Sequence, residues 1–435
     1  MNLPPILYFE SGIAILLVLW ILCAKPEYDL FLYGFALGFP DVAIPLGTAI
    51  NLRMDDALIV LLLIRSVFWR PAPLTPGQRK VFKWQGLLVL VCTTSAIIGF
   101  AGGNPPAIYD TIKMIGCAVI VFALPRVLQS ERRLRFLIAG LMCAGIALGI
   151  QIVLRLTASP ANASSNFQVF KGAATFTTWN PNTIGQAAML VVFAAGVGWV
   201  VFPKSPASRY LWISLSMGFA LIPALLFVRG TSLSIIAGYI LFLCLTRSGK
   251  WVLVFLGVFL AVFLYLRSAN HQFIEDATQV DLATGEGLSG RFDRWNDATQ
   301  AIRAEPLLGL GFGQEWNYLS NRGSEGRAHN AYLSVWIELG VGGIALLLAM
   351  IYQFVSVGYS LYRRSQFQLC GALVLALTTA ACLDSFGLPT MYWEKLPTIS
   401  LSIALALTGI CERKELETAP EAVRTLEMEP HPQPS

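Results

Sequence analysis

Apolar runs long enough, or nearly long enough, to cross a bilayer recur along this chain and are joined by short polar connections. They fall at Ile6–Cys23, Leu30–Ile50, Asp56–Trp69, Phe82–Phe100, Ile108–Leu124, Leu134–Leu156, Thr183–Phe202, Tyr210–Val228, Ser232–Thr246, Trp251–Leu266, Ala331–Val357, Phe367–Phe386 and Leu396–Cys411. The strict alternation that a membrane β-barrel needs in strands of about ten residues is absent. The pattern therefore predicts an all-α fold, a polytopic membrane helix bundle of about 12 transmembrane helices. Leu30–Ile50 is interrupted by Pro40, Asp41 and Pro45, and is expected as one kinked helix or two half-spans. Ile6–Cys23 lacks a basic leader and a small-residue cleavage site, so it reads as a retained span.

One polar segment breaks the rhythm. Ser268–Ala328 is far longer than the other connections, yet it is not low-complexity and carries Phe292, Trp295, Phe312 and Trp316. A loop of that length is either functional or disordered, and its aromatic content predicts a folded, partly helical extramembrane cap. Phe292, Trp295, Ala298 and Ile302 share helical spacing, so Arg291–Ala304 is expected as an amphipathic helix ended by Pro306. The turn-rich strip Gly309–Gly313 follows, and then His329-Asn330 opens the next apolar run. The expected organisation is a bundle over residues 1–267, a cap over 268–330, a second bundle part over 331–411 and a disordered polar tail over 412–435.

Composition sharpens the class. The chain is 55% hydrophobic and 13% charged, with a mean hydropathy of +0.62, whereas soluble domains carry about a quarter charged residues. The net charge of +5 matters less than its placement. Alternate connections hold Arg70, Arg79, Lys80 and Lys83, then Arg126, Arg132, Arg133 and Arg135, then Lys204 and Arg209, then Arg247 and Lys250, then Arg363 and Arg364, then Arg413 and Lys414. By the excess of Lys and Arg this side is cytoplasmic, which puts the long loop outside and the C-terminus inside. Twelve spans place the N-terminus inside and thirteen place it outside. No basic run with interleaved aromatics supports nucleic-acid binding. The eight cysteines lie in or beside apolar runs with neither metal-site nor redox spacing.

The outer connections collect the unusual residues. Arg229 sits in a very tight reversal between two spans, where cations weaken the topological signal and are costly at the bilayer edge. It reads either as a snorkelling anchor or, with Thr231, Ser232 and Ser234 opening the next helix, as part of an anion site. Arg291 and Arg294 either solvate a surface helix or bind a ligand, and the loop acids are available to pair with them. His329 reads either as a capping or packed side chain or as a general base, with Asn330 the natural N-cap. Asp384, near the outer end of its span, is a functional candidate or a partner of Lys395 or Arg229. Glu338, Lys113, Arg155 and Asp41 are further sparse charges near or within spans.

The stretches Asn180-Pro181-Asn182, Arg229-Gly230-Thr231-Ser232, Arg291-Phe292-Asp293-Arg294-Trp295, Pro306–Gly313 and His329-Asn330-Ala331-Tyr332-Leu333 occur in this order on the outer side. In them the chain resembles the O-antigen ligase (WaaL-type) family, within the O-antigen ligase and polymerase superfamily. The resemblance implies transfer of a glycan from undecaprenyl diphosphate to lipid A–core oligosaccharide at the periplasmic face of the bacterial inner membrane, with no cofactor and no metal. It implies His329 as the base and Arg229 and Arg291 as diphosphate ligands, with Asn330, Asn182, Arg327 and Asp384 in support. Val228 precedes Arg229 where the family more usually has Ser. The chemistry is coherent: two guanidinium groups stabilise charge developing on the diphosphate, and a base on the opposite face gives inversion at the anomeric carbon. A retaining enzyme would need a carboxylate nucleophile, for which Asp384 is the one outer candidate, and that role is discounted. Two alternatives stand: an O-antigen polymerase using the same donor, and a lipid-linked glycan transporter, which would call for buried charge relays or broken helices at mid-membrane.

Overall fold

The computed structural model describes residues 25–38, 43–45, 51–53, 60, 64, 73–103, 108–158, 181–202, 205–225, 228–269, 288–323, 327–387 and 395–418. Among these the chain is helical apart from one small hairpin. In order the elements are α1 Pro26–Gly38, β1 Ala43–Pro45, β2 Asn51–Arg53, α2 Pro76–Ala101, α3 Ile108–Val127, α4 Glu131–Ala158, α5 Pro181–Val201, α6 Pro206–Leu225, α7 Arg229–Leu245, α8 Gly249–Ala269, α9 Leu288–Ala304, α10 Glu315–Ser320, α11 Ala331–Arg363, α12 Gln368–Gly387 and α13 Lys395–Thr418. Among the described residues, five helices are long and apolar enough to cross a membrane: Pro76–Ala101, Glu131–Ile152, Ile184–Val201, Ala331–Arg363 and Ser365–Phe386. Tyr210–Pro223, Gly230–Leu245 and Gly249–Ala261 are shorter apolar helices. The expected total of about 12 spans is not established by this set. Ile6–Cys23, most of Asp56–Trp69, the connection 159–180 and the tail beyond Thr418 lie outside the described residues.

The run Leu30–Ile50 departs from expectation. Helix α1 stops at Gly38, and Ala43–Pro45 then pairs antiparallel with Asn51–Arg53. The sequence Gly38-Phe39-Pro40 ends the helix because proline excludes the α conformation from its predecessor and lacks an N–H.

Helix α5 is the axis of the bundle, with 94% of its Ile184–Val201 stretch buried. It is apolar over most of its surface, with Gln186 near its start the buried polar exception. Small residues set the closest contacts. A Cβ on Gly140 of α4 would overlap the Phe31 carbonyl of α1, and one on Gly34 the Leu137 carbonyl. Gly238 of α7 packs so that a Cβ would meet the Ala376 carbonyl of α12 at 2.8 Å. Such small-residue contacts let helix backbones approach where apolar burial alone supplies no preference.

The two ends of the bundle differ. At one end, Lys414 bonds Glu131 at 2.6 Å, Arg364 pairs with Glu415, and Arg132 pairs with Glu27 at 3.5 Å. There Arg135 also donates to the Val201 carbonyl at 2.9 Å. These are cations of the connections read as cytoplasmic. The starts of α5, α7 and α11 and the end of α12 lie at the other end.

Helix α11 has 33 residues, about 50 Å at about 1.5 Å per residue, which exceeds the about 30 Å hydrocarbon layer. Its first turns, before the break at Gly340, carry the cap. Ala298, Ala301 and Ile302 of α9, Leu319 of α10, Ala328 and Ile337 form a small core of their own, with Trp295 and Trp336 packed against it. The amphipathic reading of α9 holds for Ala298 and Ile302. Phe292 is 58% exposed instead, because it lies a turn too early to reach α11 and packs edge-on against Trp295.

Candidate functional site

The site is built around the entry to α11. Asn330 is extended, with φ −149° and ψ 111°, and its side-chain oxygen accepts from the backbone N–H groups of Tyr332 at 3.0 Å and Leu333 at 3.2 Å. This is the N-cap that Asn, as a short acceptor, is suited to provide. His329 before it has φ +51°, a left-handed conformation that costs a non-glycine residue about 1 kcal/mol or more unless its surroundings impose it.

The surroundings do impose it. The Ala328 N–H donates to Glu315 Oε1 at 2.9 Å, and the Ala328 carbonyl accepts from Trp295 Nε1 at 2.9 Å. Both polar groups of the residue before His329 are thus held by cap side chains, one from α10 and one from α9. Glu315 Oε1 also accepts from the Ser334 hydroxyl at 2.8 Å, so it bridges the two sides of the His329-Asn330 turn. His329 itself is half-buried. Arg291 lies one turn before Trp295 on α9 and is also half-buried.

Below this turn α11 is broken. Gly340 has φ +64° and ψ −160° within the helix, which frees backbone groups on either side. The strip Pro306–Gly313 fills the gap. Leu310 N–H donates to the Ile337 carbonyl at 2.7 Å, Gly311 N–H to the Glu338 carbonyl at 3.0 Å, and Val341 N–H to the Pro306 carbonyl at 3.0 Å. Gly309 and Gly340 make that approach possible: both have positive φ, and a Cβ on Gly340 would overlap the Leu307 carbonyl. The Phe312 N–H then reaches Ser95 of α2 at 2.9 Å. The glycine strip read from sequence as a turn is the seal between cap and bundle.

A charged cluster lies beside it. Arg327 pairs with Asp110 of α3, and the Glu315 and Glu338 carboxylates lie within its electrostatic reach. Burial raises the Glu315 pKa above the ordinary carboxyl value, although the Ala328 N–H, the Ser334 hydroxyl and Arg327 all oppose it. Burial also works against the Arg327 charge, but Asp110, Glu315 and Glu338 outweigh it and raise its pKa.

Asp384 is fully buried. Its Oδ1 accepts from the Thr231 hydroxyl at 2.8 Å and its Oδ2 from Gln186 Nε2 at 3.3 Å. It therefore ties the start of α7 and the start of α5 to the end of α12. Tyr332 joins α11 to the same place, donating its hydroxyl to the Cys382 carbonyl at 3.0 Å and stacking on Phe386 at 4.6 Å. Arg229 is the first residue of α7 and Asn182 lies in the first turn of α5, so their backbones belong to this meeting of helix ends. Their side chains lie outside the described residues.

Residues 212–348 match the model of the O-antigen ligase family. Over this stretch the chain is similar to the O-antigen ligase family. Comparison with curated proteins gives no match. The matched segment contains Arg229, Arg291, Arg327, His329 and Asn330, together with Glu315, Glu338 and Gly340, whereas Asn182, Asp384 and Asp110 lie beyond it. Together with the apolar helices, the O-antigen ligase match marks the chain as a multi-pass membrane protein and an enzyme of O-antigen ligase or polymerase type.

Glu315 and Asp110 were not singled out from the sequence. Among many loop acids nothing marks Glu315, because its significance lies in contacts with residues 13 and 19 positions away. Asp110 had a usable signal, being an acid in the first turn of a mostly apolar span. Among the described residues no cluster of three or more His, Cys, Asp or Glu is suited to a metal ion.

Proposed function

We propose that this chain is an O-antigen ligase, transferring a polysaccharide from undecaprenyl diphosphate to a hydroxyl of lipid A–core oligosaccharide at the periplasmic face of the inner membrane. His329 takes the acceptor proton as the new C–O bond forms on the anomeric carbon. The C–O bond to the diphosphate breaks on the opposite face, and undecaprenyl diphosphate leaves as an anion. Arg229 and Arg291 bind that anion through charge-assisted hydrogen bonds, which strengthen as its charge develops. A base and a leaving-group clamp on opposite faces give inversion.

The observation that carries this reading is the grip on Ala328. Trp295, one turn from Arg291, holds the residue next to His329, so the helix bearing one candidate ligand is bonded to the turn bearing the candidate base. The bonds through Tyr332, Cys382, Asp384 and Thr231 bring the start of α7, with Arg229, to the same end.

The test is transfer in detergent from purified lipid-linked polysaccharide to lipid A–core, without nucleotide. His329→Asn is the informative variant, because Asn tolerates the left-handed backbone but provides no base. We expect it to lower transfer by about a thousandfold, to a measurable remainder, with folded yield kept; wild-type transfer removes His329 as base. Arg229→Ala and Arg291→Ala are each expected to cost about tenfold or more. Transfer to a second lipid-linked glycan, with lipid A–core refused, would identify a polymerase.

A further inference from the structure

We infer that Glu315 is a positioning residue for the transfer, acting through His329 by fixing the turn from Ala328 to Ser334. The inference rests on the reading of His329 as base. Glu315 is buried in the six-residue helix α10, and its Oε1 takes both the Ala328 N–H and the Ser334 hydroxyl. These partners stand on either side of His329, one residue before it and five after it. The single oxygen therefore spans the left-handed residue and the helix cap that follows.

Two features set this contact apart from ordinary loop packing. The first is that the turn is held at φ +51° on His329, a conformation uncommon for a non-glycine residue. The second is that Ala328 is held from the opposite side by Trp295 Nε1, so its peptide groups cannot rotate without breaking a bond from α9 or from α10. Rotation there swings the His329 imidazole directly, because it lies on the adjacent residue. A base must stand within hydrogen-bonding reach of the proton it takes, and misplacement by about 1 Å can cost about a hundredfold. Ser334 and Ala328 need only an acceptor at Oε1, and neither contact calls for a negative charge. Among the described residues, the other oxygen, Oε2, takes no hydrogen bond. The device is geometric, and an amide of the same shape can replace it.

The experiment compares Glu315→Gln, Glu315→Leu and Trp295→Phe in the full chain, measuring kcat, KM for lipid-linked polysaccharide, and thermal unfolding in detergent. Glu315→Leu is expected to lower kcat by about tenfold or more with donor KM little changed, and Glu315→Gln to recover most of that loss. Trp295→Phe keeps an aromatic side chain while removing the indole N–H donor together with its five-membered ring; it is expected to lower kcat in the same way while folding normally, so the inference stays open to test if Glu315→Leu does not fold. In the His329→Asn background, Glu315→Leu is expected to add no further loss to the residual transfer. Three results overturn the inference: Gln as impaired as Leu, wild-type kcat in both Leu and Trp295→Phe, or an added loss without the imidazole. Wild-type transfer by His329→Asn alone defeats the base reading instead, and is distinguishable because it does not depend on Glu315.

Discussion

Thr231 donates its hydroxyl to Asp384 at 2.8 Å, two residues past Arg229 and at the far end of a different helix. With Gln186 on its second oxygen, Asp384 has both carboxylate oxygens engaged and no exposed surface. A nucleophile must reach the anomeric carbon, and this carboxylate has no open path to one. Asp384→Asn keeps the acceptor for Thr231 and removes the nucleophile. We expect transfer within about tenfold of wild type, measured as kcat on lipid-linked polysaccharide, since the loss of a covalent nucleophile costs far more. A drop of more than about a thousandfold, with a trapped glycosyl-enzyme in wild type, would restore the retaining alternative.

Gly340 is expected to tolerate no side chain. Alanine there meets both a disfavoured φ and the Leu307 carbonyl, so the strip Pro306–Gly313 must lift away from α11. That leaves the Ile337 and Glu338 carbonyls and the Val341 N–H without their bonds. We expect Gly340→Ala to destabilise by about 2 kcal/mol or more, read as a lower unfolding temperature in detergent and as new protease sensitivity between α9 and α11. Gly342→Ala, where a Cβ meets open space, is the control. Equal behaviour of the two variants would contradict the broken-helix geometry.

Much of this arrangement could be read beforehand. The cap helix, the Asn330 N-cap and the boundary at His329 follow from local rules: apolar spacing in α9, a short acceptor before an apolar run, and proline at position 306. The helix ends near Thr183, Ser232 and Phe367 follow from hydrophobicity alone, to within a few residues. The break at Gly340 does not, because Gly340-Val341-Gly342-Gly343 sits inside an apolar run, where glycine is common in membrane helices. Its cause is the docking of a segment about thirty residues earlier. Glu315, Asp110 and Gln186 escaped for the same reason, since each acts through a partner distant in sequence. The hairpin at Ala43–Pro45 escaped because hydrophobicity cannot tell a short strand from part of a helix.

Asp110 and Arg327 are expected to behave as a structural pair. Asp110 is buried at the start of α3, and Arg327 brings the cap's last turn to it. Removing the guanidinium alone leaves Asp110 facing Glu315 and Glu338 in a site of low polarity. Arg327→Leu should therefore cost about 3 kcal/mol or more, and the double variant Asp110→Leu/Arg327→Leu substantially less than the two single losses summed. Thermal unfolding of the four proteins in detergent gives the coupling. Strict additivity would mean that the pair contributes nothing by being together.

Burial raises the Glu315 pKa above its ordinary carboxyl value, and the consequence for stability has a definite sign. As pH rises past that ordinary value, the unfolded chain releases the proton first and the folded chain keeps it. Throughout the window between the two pKa values the folded state binds more protons, so stability falls as pH rises. Glu315→Gln has nothing to titrate and should lack this component. The measurement is the unfolding temperature of both proteins in detergent from about pH 4.5 to about pH 7.5, a range that begins near the ordinary glutamate pKa. Wild type should lose stability relative to Glu315→Gln as the pH increases. If it gained stability instead, Arg327 and the two hydrogen bonds would dominate over burial, and Glu315 would hold the Ala328–Ser334 turn as a carboxylate rather than as a neutral acceptor.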